Sequence, residues 1–237
     1  MRLGDPCFYI YTSGITGMPK ASVMSHFRWV KGAGAFGHAA LALRPHDVLY
    51  VPLPLYHSNA LVVAWSAAAS TGAAIALRRK FSVTSFWDDI RRFDATAFIY
   101  IGELCRYLMN QAPSPSDRDH RVTRIVGNGL RPDIWKQFKE RFGIRQVFEF
   151  YGASEANIAF VNLLNADCTV GLCPAPFALV RYDIARDEPV RSPAGNLIRI
   201  ARGEVGLLIA KVSPRYAFDG YTDQADRVIA EHLETIL

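Results

Sequence analysis

Apolar positions along this chain fall into two recurring patterns. Short, largely apolar runs occupy residues 8–11, 48–51, 74–77, 96–101, 124–126 and 146–150. Runs of that length, bounded by turn residues, are the pattern of buried strands in a parallel sheet. Between them, apolar residues recur at helical spacing. Ser25 is placed to cap a helix running toward Leu43, with Trp29, Ala33, Phe36 and Ala40 on one face, although Gly32, Gly34 and Gly37 weaken it. Ser85 and Asp88 predict a capping box for a helix whose apolar face is Val83, Phe86, Trp87, Ile90 and Phe93. Another helix is expected over residues 103–110. The best signalled helix carries Ile134, Trp135, Phe138 and Phe142, with Pro132 near its first turn and Gly143 just past its end. Residues 20–24 read as a short partner to the first strand, and residues 113–117 as a surface loop.

This strand–helix alternation predicts an α/β fold, a mostly parallel sheet with helices on its faces. From about Asn157 the rhythm changes to short strands and turns, as at residues 177–182 and 205–211. The expected organisation is an α/β core over 1–156, a β-rich subdomain over 157–223 and a tail over 224–237. Residues 59–77 carry no charge and are long enough to span a bilayer. Their Ala, Ser, Thr and Gly content makes insertion poor, and Gly72 divides them into a buried helix and a strand. Peripheral membrane contact fits them better.

Composition bounds the chain rather than defining it. Half of the 237 residues are hydrophobic and 21% are charged, which is globular. The net charge of +5 is mild and scattered. It argues against a nucleic-acid protein and suits an anionic ligand such as ATP or CoA equally well. Cys7, Cys105, Cys168 and Cys173 lack zinc-ligand spacing, so reduced thiols in a cytoplasmic protein are the expectation.

The densest chemistry lies at Tyr9-Ile10-Tyr11-Thr12-Ser13-Gly14-Ile15-Thr16-Gly17-Met18-Pro19-Lys20. A strand runs into hydroxyls and glycines, then a lysine. Gly14 and Gly17 free the backbone to aim N–H groups at an anion. Thr12, Ser13 and Thr16 add hydroxyl donors and Lys20 a point charge suited to phosphate. The glycine spacing excludes a Walker A loop. Three more motifs fall after expected strands: Tyr56-His57, Gly127-Asn128-Gly129, and Tyr151-Gly152-Ala153-Ser154-Glu155. Ligands of open α/β sheets gather at such strand ends. A carboxylate near a triphosphate is what magnesium needs, which singles out Glu155.

The ordered loop from Thr12 to Lys20 resembles the phosphate loop of adenylate-forming enzymes, the acyl-CoA synthetase, luciferase and peptide-synthetase superfamily. Tyr151 to Glu155 resembles its Tyr-Gly-x-Thr-Glu motif, with Ser154 replacing Thr. Pro54-Leu55-Tyr56-His57-Ser58-Asn59-Ala60, Tyr100-Ile101-Gly102-Glu103, Gly127-Asn128-Gly129-Leu130-Arg131-Pro132 and Phe218-Asp219-Gly220-Tyr221-Thr222-Asp223 are similar to the fatty-acid transport protein branch, the long- and very-long-chain acyl-CoA synthetases. The resemblance implies the central part of that superfamily's large N-terminal domain. It assigns Glu155 to magnesium, Ser154 to phosphate, Tyr151 to adenine, Gly152 to the ATP site, residues 127–129 to the adenine edge, and His57 to positioning of the acyl substrate. Its reaction is adenylation of a fatty acid by ATP and transfer to CoA, with Lys20, Glu155 and His57 as the catalytic set. Ile15 departs from the pattern, because a hydroxyl residue usually stands there.

The family's Thr-Gly-Asp motif, the arginine after it and its lid lysine do not occur in this sequence, and the family pattern fades after Asp223. The resemblance therefore implies a middle segment of a synthetase, weak or inactive alone. Two alternatives stay open at this level: a non-catalytic module that holds nucleotide or fatty acid, and the inactive product of a disrupted gene.

Overall fold

The computed structural model describes residues 1–12, 19–154, 156–213, 215–216 and 218–222. Its centre is a six-stranded sheet of β3 (Val48–Val51), β4 (Ala74–Leu77), β5 (Ala97–Ile101), β6 (Arg124–Asn128), β7 (Gln146–Tyr151) and β8 (Phe160–Val161). The spatial order is β4-β3-β5-β6-β7-β8. Every pairing from β4 to β7 is parallel, and β8 closes the far edge antiparallel to β7. Parallel strands are buried on both faces, as the apolar runs require: Leu49, Tyr50, Val51, Phe98, Ile99, Tyr100, Ile125, Val126 and Val147 are all fully buried.

The chain order explains the two helical layers. From β3 the chain steps to β4 on one side, then returns across β3 to β5 and continues outward to β6 and β7. Crossovers between parallel strands are right-handed, so reversing direction places the connecting helices on opposite faces. One layer holds α1 (His26–Gly32) with its π-helical continuation Ala33–Ala40, and the π-helical turn Asn59–Trp65 leading into α2 (Ser66–Thr71). The other holds α3 (Phe86–Arg92), α4 (Gly102–Met109) and α5 (Pro132–Phe142). Trp135, Phe138 and Phe142 of α5 and Phe86 and Ile90 of α3 are buried, as their spacing predicts. Gly72 and Gly143 end α2 and α5 in the left-handed conformation, φ +74° and +65°.

Four local expectations need correction. The first strand, β1 (Pro6–Thr12), does not join the parallel sheet; it pairs antiparallel with β2 (Lys20–Ser25) in a separate hairpin. The partner strand expected at residues 20–24 is present, with Thr12 opposite Lys20 in the register. Ser85 precedes α3 but makes no side-chain cap there, because its hydroxyl accepts from Ser82 instead while Asp88 pairs with Arg91. Phe93 lies past the end of α3 and is exposed. The capping box belongs instead to Ser114 and Asp117, on a short 3₁₀ turn within the stretch expected to be a loop.

Short strands follow residue 157 as expected: β9 (Phe177–Val180) pairs with β12 (Leu207–Ala210), and β10 (Tyr182–Asp183) with β11 (Glu188–Pro189). Among the described residues no helix is long and apolar enough to cross a membrane. Residues 223–237, which contain the tail, lie outside the described residues.

Candidate functional site

The reversal of strand order at β3 creates a crevice beyond the carboxyl ends of β3 and β5, where ligands of open α/β sheets bind. β3 delivers Pro52 to His57 to this crevice. His57 is exposed, its N–H donating to Pro54 O at 3.1 Å and its ring 4.6 Å from that of Tyr56. Two residues on, Asn59 is buried at the start of a π-helical turn. Such turns are rare and occur often at functional sites. Its Nδ2 donates to Tyr100 O on β5 and to Oδ1 of Asn128 at the end of β6, both at 3.0 Å. One buried amide thus joins the ends of three sheet segments.

Gly127, Asn128 and Gly129 are placed with little tolerance. A Cβ on Gly127 would stand 2.1 Å from Tyr100 O, and one on Gly102 1.6 Å from Gly129 O. Only backbones without side chains pass so closely. Gly129 adopts φ +82°. Beneath the loop lies Glu149 of β7, buried, which accepts from the N–H groups of Gly129 and Leu130 and from the Tyr100 hydroxyl. Burial raises the Glu149 carboxyl above its ordinary value of 4.5, against the opposing pull of those three hydrogen bonds. Burial and then the Glu149 charge push the Tyr100 phenol and the Cys105 thiol upward as well. This buried network supports the exposed loop from below.

The β1–β2 hairpin stands apart from the main sheet and is held by its own contacts. Thr12 lies opposite Lys20 in the register, and the Thr12 hydroxyl donates to Lys20 O at 3.3 Å. The Lys20 ammonium sits 5.7 Å from the Tyr221 ring centre. The segment around Tyr221 runs along β2: Val23 N–H donates to Gly220 O at 2.9 Å and Thr222 N–H to Ala21 O at 3.0 Å. Arg28, in the first turn of α1, donates to Val23 O at 3.3 Å and to Ala156 O at 2.8 Å. The hairpin is thereby fastened to the segment following β7. Tyr151 ends β7 with its ring exposed, and Gly152 and Ser154 follow it along the same rim.

The described residues thus bring His57, Asn128 and Tyr151 to the carboxyl edge of one sheet and tie the Lys20 hairpin to the segment that follows it. Ser13, Gly14, Ile15, Thr16, Gly17, Met18 and Glu155 lie outside the described residues. Among the described residues no group of three His, Cys, Asp or Glu side chains is gathered as a metal site. Asn59, Tyr100 and Glu149 were missed as site residues in the sequence reading. The one available signal was a polar residue inside an otherwise apolar run, since a buried amide or carboxylate needs partners.

The family model for AMP-binding enzymes matches residues 1–221. The chain is 52% identical over 219 residues to the medium/long-chain-fatty-acid–CoA ligase FadD6 of Mycobacterium tuberculosis, covering 92% of this chain and 37% of that protein. It is 45% identical over 226 residues to long-chain fatty acid transport protein 2 of Rattus norvegicus, covering 91% and 36%. The chain therefore spans little more than a third of the length of these relatives. Among solved structures, ATP-bound MatB from Rhodopseudomonas palustris superposes with a TM-score of 0.73 at 20% identity, covering 98% of this chain and 44% of that one. A benzoate CoA ligase from Burkholderia xenovorans LB400 gives 0.75 at 20% identity, covering 97% and 44%. At such identity the likeness is one of fold.

Proposed function

The chain belongs to the AMP-binding enzyme family, and from that premise we propose that it forms the nucleotide- and acyl-binding part of a fatty acid–CoA ligase. The observation that carries this reading is the junction at Asn59, which joins the segment bearing His57 to the loop bearing Asn128 across the carboxyl ends of β3, β5 and β6. An acyl carboxylate and a nucleotide base held on those two segments would meet in one crevice. The identity to FadD6 points to a medium- or long-chain fatty acid as the acid.

In this reading Lys20 with Thr12, Ser13, Gly14, Thr16 and Gly17 grips the phosphates of ATP, and Ser154 adds a hydroxyl. Residues 127–129, Tyr151 and Gly152 hold the base, Glu155 holds Mg²⁺, and His57 aligns the acyl carboxylate. A fatty acid is ionised at neutral pH. Its attack on the α-phosphate therefore needs alignment and charge neutralisation, not a base. Pyrophosphate leaves and an acyl adenylate remains, the species that CoA consumes in the complete reaction. Residues 1–156 serve as the nucleotide-holding core and 157–223 as the β-rich subdomain beside it. The departure at Ile15 removes one hydroxyl donor from the phosphate loop and would loosen its grip on ATP; a module that binds nucleotide without turnover is the second reading.

Calorimetry with Mg·ATP tests the proposal. Lys20→Ala and Glu155→Ala should each weaken binding by about ten- to a hundredfold, the range for losing a charge-assisted contact. Palmitate-dependent release of pyrophosphate then separates adenylation from binding alone. A folded chain that binds no ATP overturns both readings.

A further inference from the structure

We infer that Asn59 is a specificity-positioning residue: it fixes the amide of Asn128 with its NH₂ group outward, so that the base edge of the site offers hydrogen-bond donors. This rests on the nucleotide reading above and goes beyond it by assigning the polarity of the base contact.

The argument is one of forced assignment. The main-chain oxygen of Tyr100 only accepts, so the Asn59 atom 3.0 Å from it is the nitrogen. That nitrogen has a second hydrogen, and at 3.0 Å it meets the side chain of Asn128. The Asn128 atom facing it must accept, so it is the oxygen. The Asn128 nitrogen, with both hydrogens, then points away from Asn59 on an exposed side chain. Reversing Asn59 would set its oxygen against two other oxygens. The protein keeps the present orientation although it leaves Asn59 Oδ1 buried and unpartnered among the described residues, on a residue 93% buried. Such an orphan acceptor is costly. It is tolerated because the two bonds made by the nitrogen exclude the alternative.

Set against position 6 of the heterocycle, a donor pair recognises a carbonyl. It gives no partner to an exocyclic amine, which only donates. ATP and ITP separate these cases, because they share the triphosphate and differ at positions 1 and 6. Their affinity ratio is therefore insensitive to charge effects on the phosphates.

Two variants change the polarity from opposite sides. Asn128→Asp keeps an oxygen for Asn59 and replaces only the outward donor with an acceptor. Asn59→Asp offers Asn128 an acceptor from within, which turns the Asn128 amide over and exposes its oxygen, but it also sets an oxygen against Tyr100 O, so its folding is checked first. Each should shift the ATP-to-ITP affinity ratio toward ATP by about five- to tenfold, the scale of one neutral hydrogen bond exchanged for another. Asn128 is exposed, so its variant stays informative if Asn59→Asp fails to fold. A ratio unchanged in Asn128→Asp overturns the inference, and so does a shift toward ITP. A shift in Asn128→Asp but none in folded Asn59→Asp removes Asn59 from the assignment. If the unaltered chain binds neither nucleotide, the nucleotide reading itself fails, and this inference with it.

Discussion

Glu149 shows how one buried charge organises an exposed loop. Its carboxylate holds two consecutive backbone N–H groups of the base loop and the Tyr100 hydroxyl. Glu149→Ala would leave those three donors without an acceptor in a dry site, at a cost of about 2–4 kcal/mol. The pH dependence has a definite sign. Burial raises the folded-state value above 4.5, so the folded chain holds the proton more tightly than the unfolded chain. The stabilisation from that proton is complete below pH 4.5 and is lost as pH rises through the higher folded value. Glu149→Gln does not titrate. In urea unfolding, the stability of the natural chain relative to Glu149→Gln should therefore decline as pH rises from about 4.5. A constant difference across pH 4–8 would contradict the assignment. The sequence placed the loop and its neighbours correctly but gave Glu149 no role, because its partners are 19 to 49 residues away and become neighbours only when β5, β6 and β7 align. Asn59 was hidden for the same reason, with partners 41 and 69 residues distant.

At the level of elements, the strands of the main sheet were legible because burial on both faces demands largely apolar runs. The pairing of residues 20–24 with the first strand was legible too, but not its separation from the main sheet, since Phe8 to Tyr11 is as apolar as the others although Tyr9 and Tyr11 are exposed. The glycines of the first helix were legible only as a weakness. Their purpose is visible in the packing: a Cβ on Gly37 would sit 2.9 Å from both Cα and O of Ala67 in α2, whereas one on Gly34 meets nothing within 4 Å. Two glycines three residues apart should therefore respond oppositely. Gly37→Ala forces backbone against backbone and should destabilise by about 1–3 kcal/mol. Gly34→Ala restricts the unfolded chain on an exposed helical face and should stabilise by about 0.5–1 kcal/mol. Chemical denaturation of the two variants decides it. Equal effects would mean that the contact between the π-helical segment and α2 is looser than these distances.

At the scale of the whole molecule, the two edges of the main sheet differ. β8 and the bridge from Val161 to Leu172 cover the β7 side. On the β4 side, no described strand pairs with the outer edge of residues 74–77, and Leu77 is 49% exposed there. An uncovered strand edge with apolar side chains is a template for pairing with another chain. The net charge of +5 is too small, and too dispersed, to hold copies of a 237-residue chain apart at physiological salt. The chain should therefore self-associate reversibly at about 10–100 µM, in the range where exposed apolar edges drive association. Leu77→Lys places a charge on that edge and should raise the association midpoint about tenfold, equivalent to about 1.4 kcal/mol. Tyr11→Lys, on the exposed face of the β1 hairpin, serves as the comparison. Sedimentation velocity over a concentration series reads both. If Tyr11→Lys abolishes association and Leu77→Lys does not, the aromatic face of the hairpin is the adhesive surface and β4 is not. A single monomeric species throughout the series would show that the short length of β4 is itself enough to protect the edge.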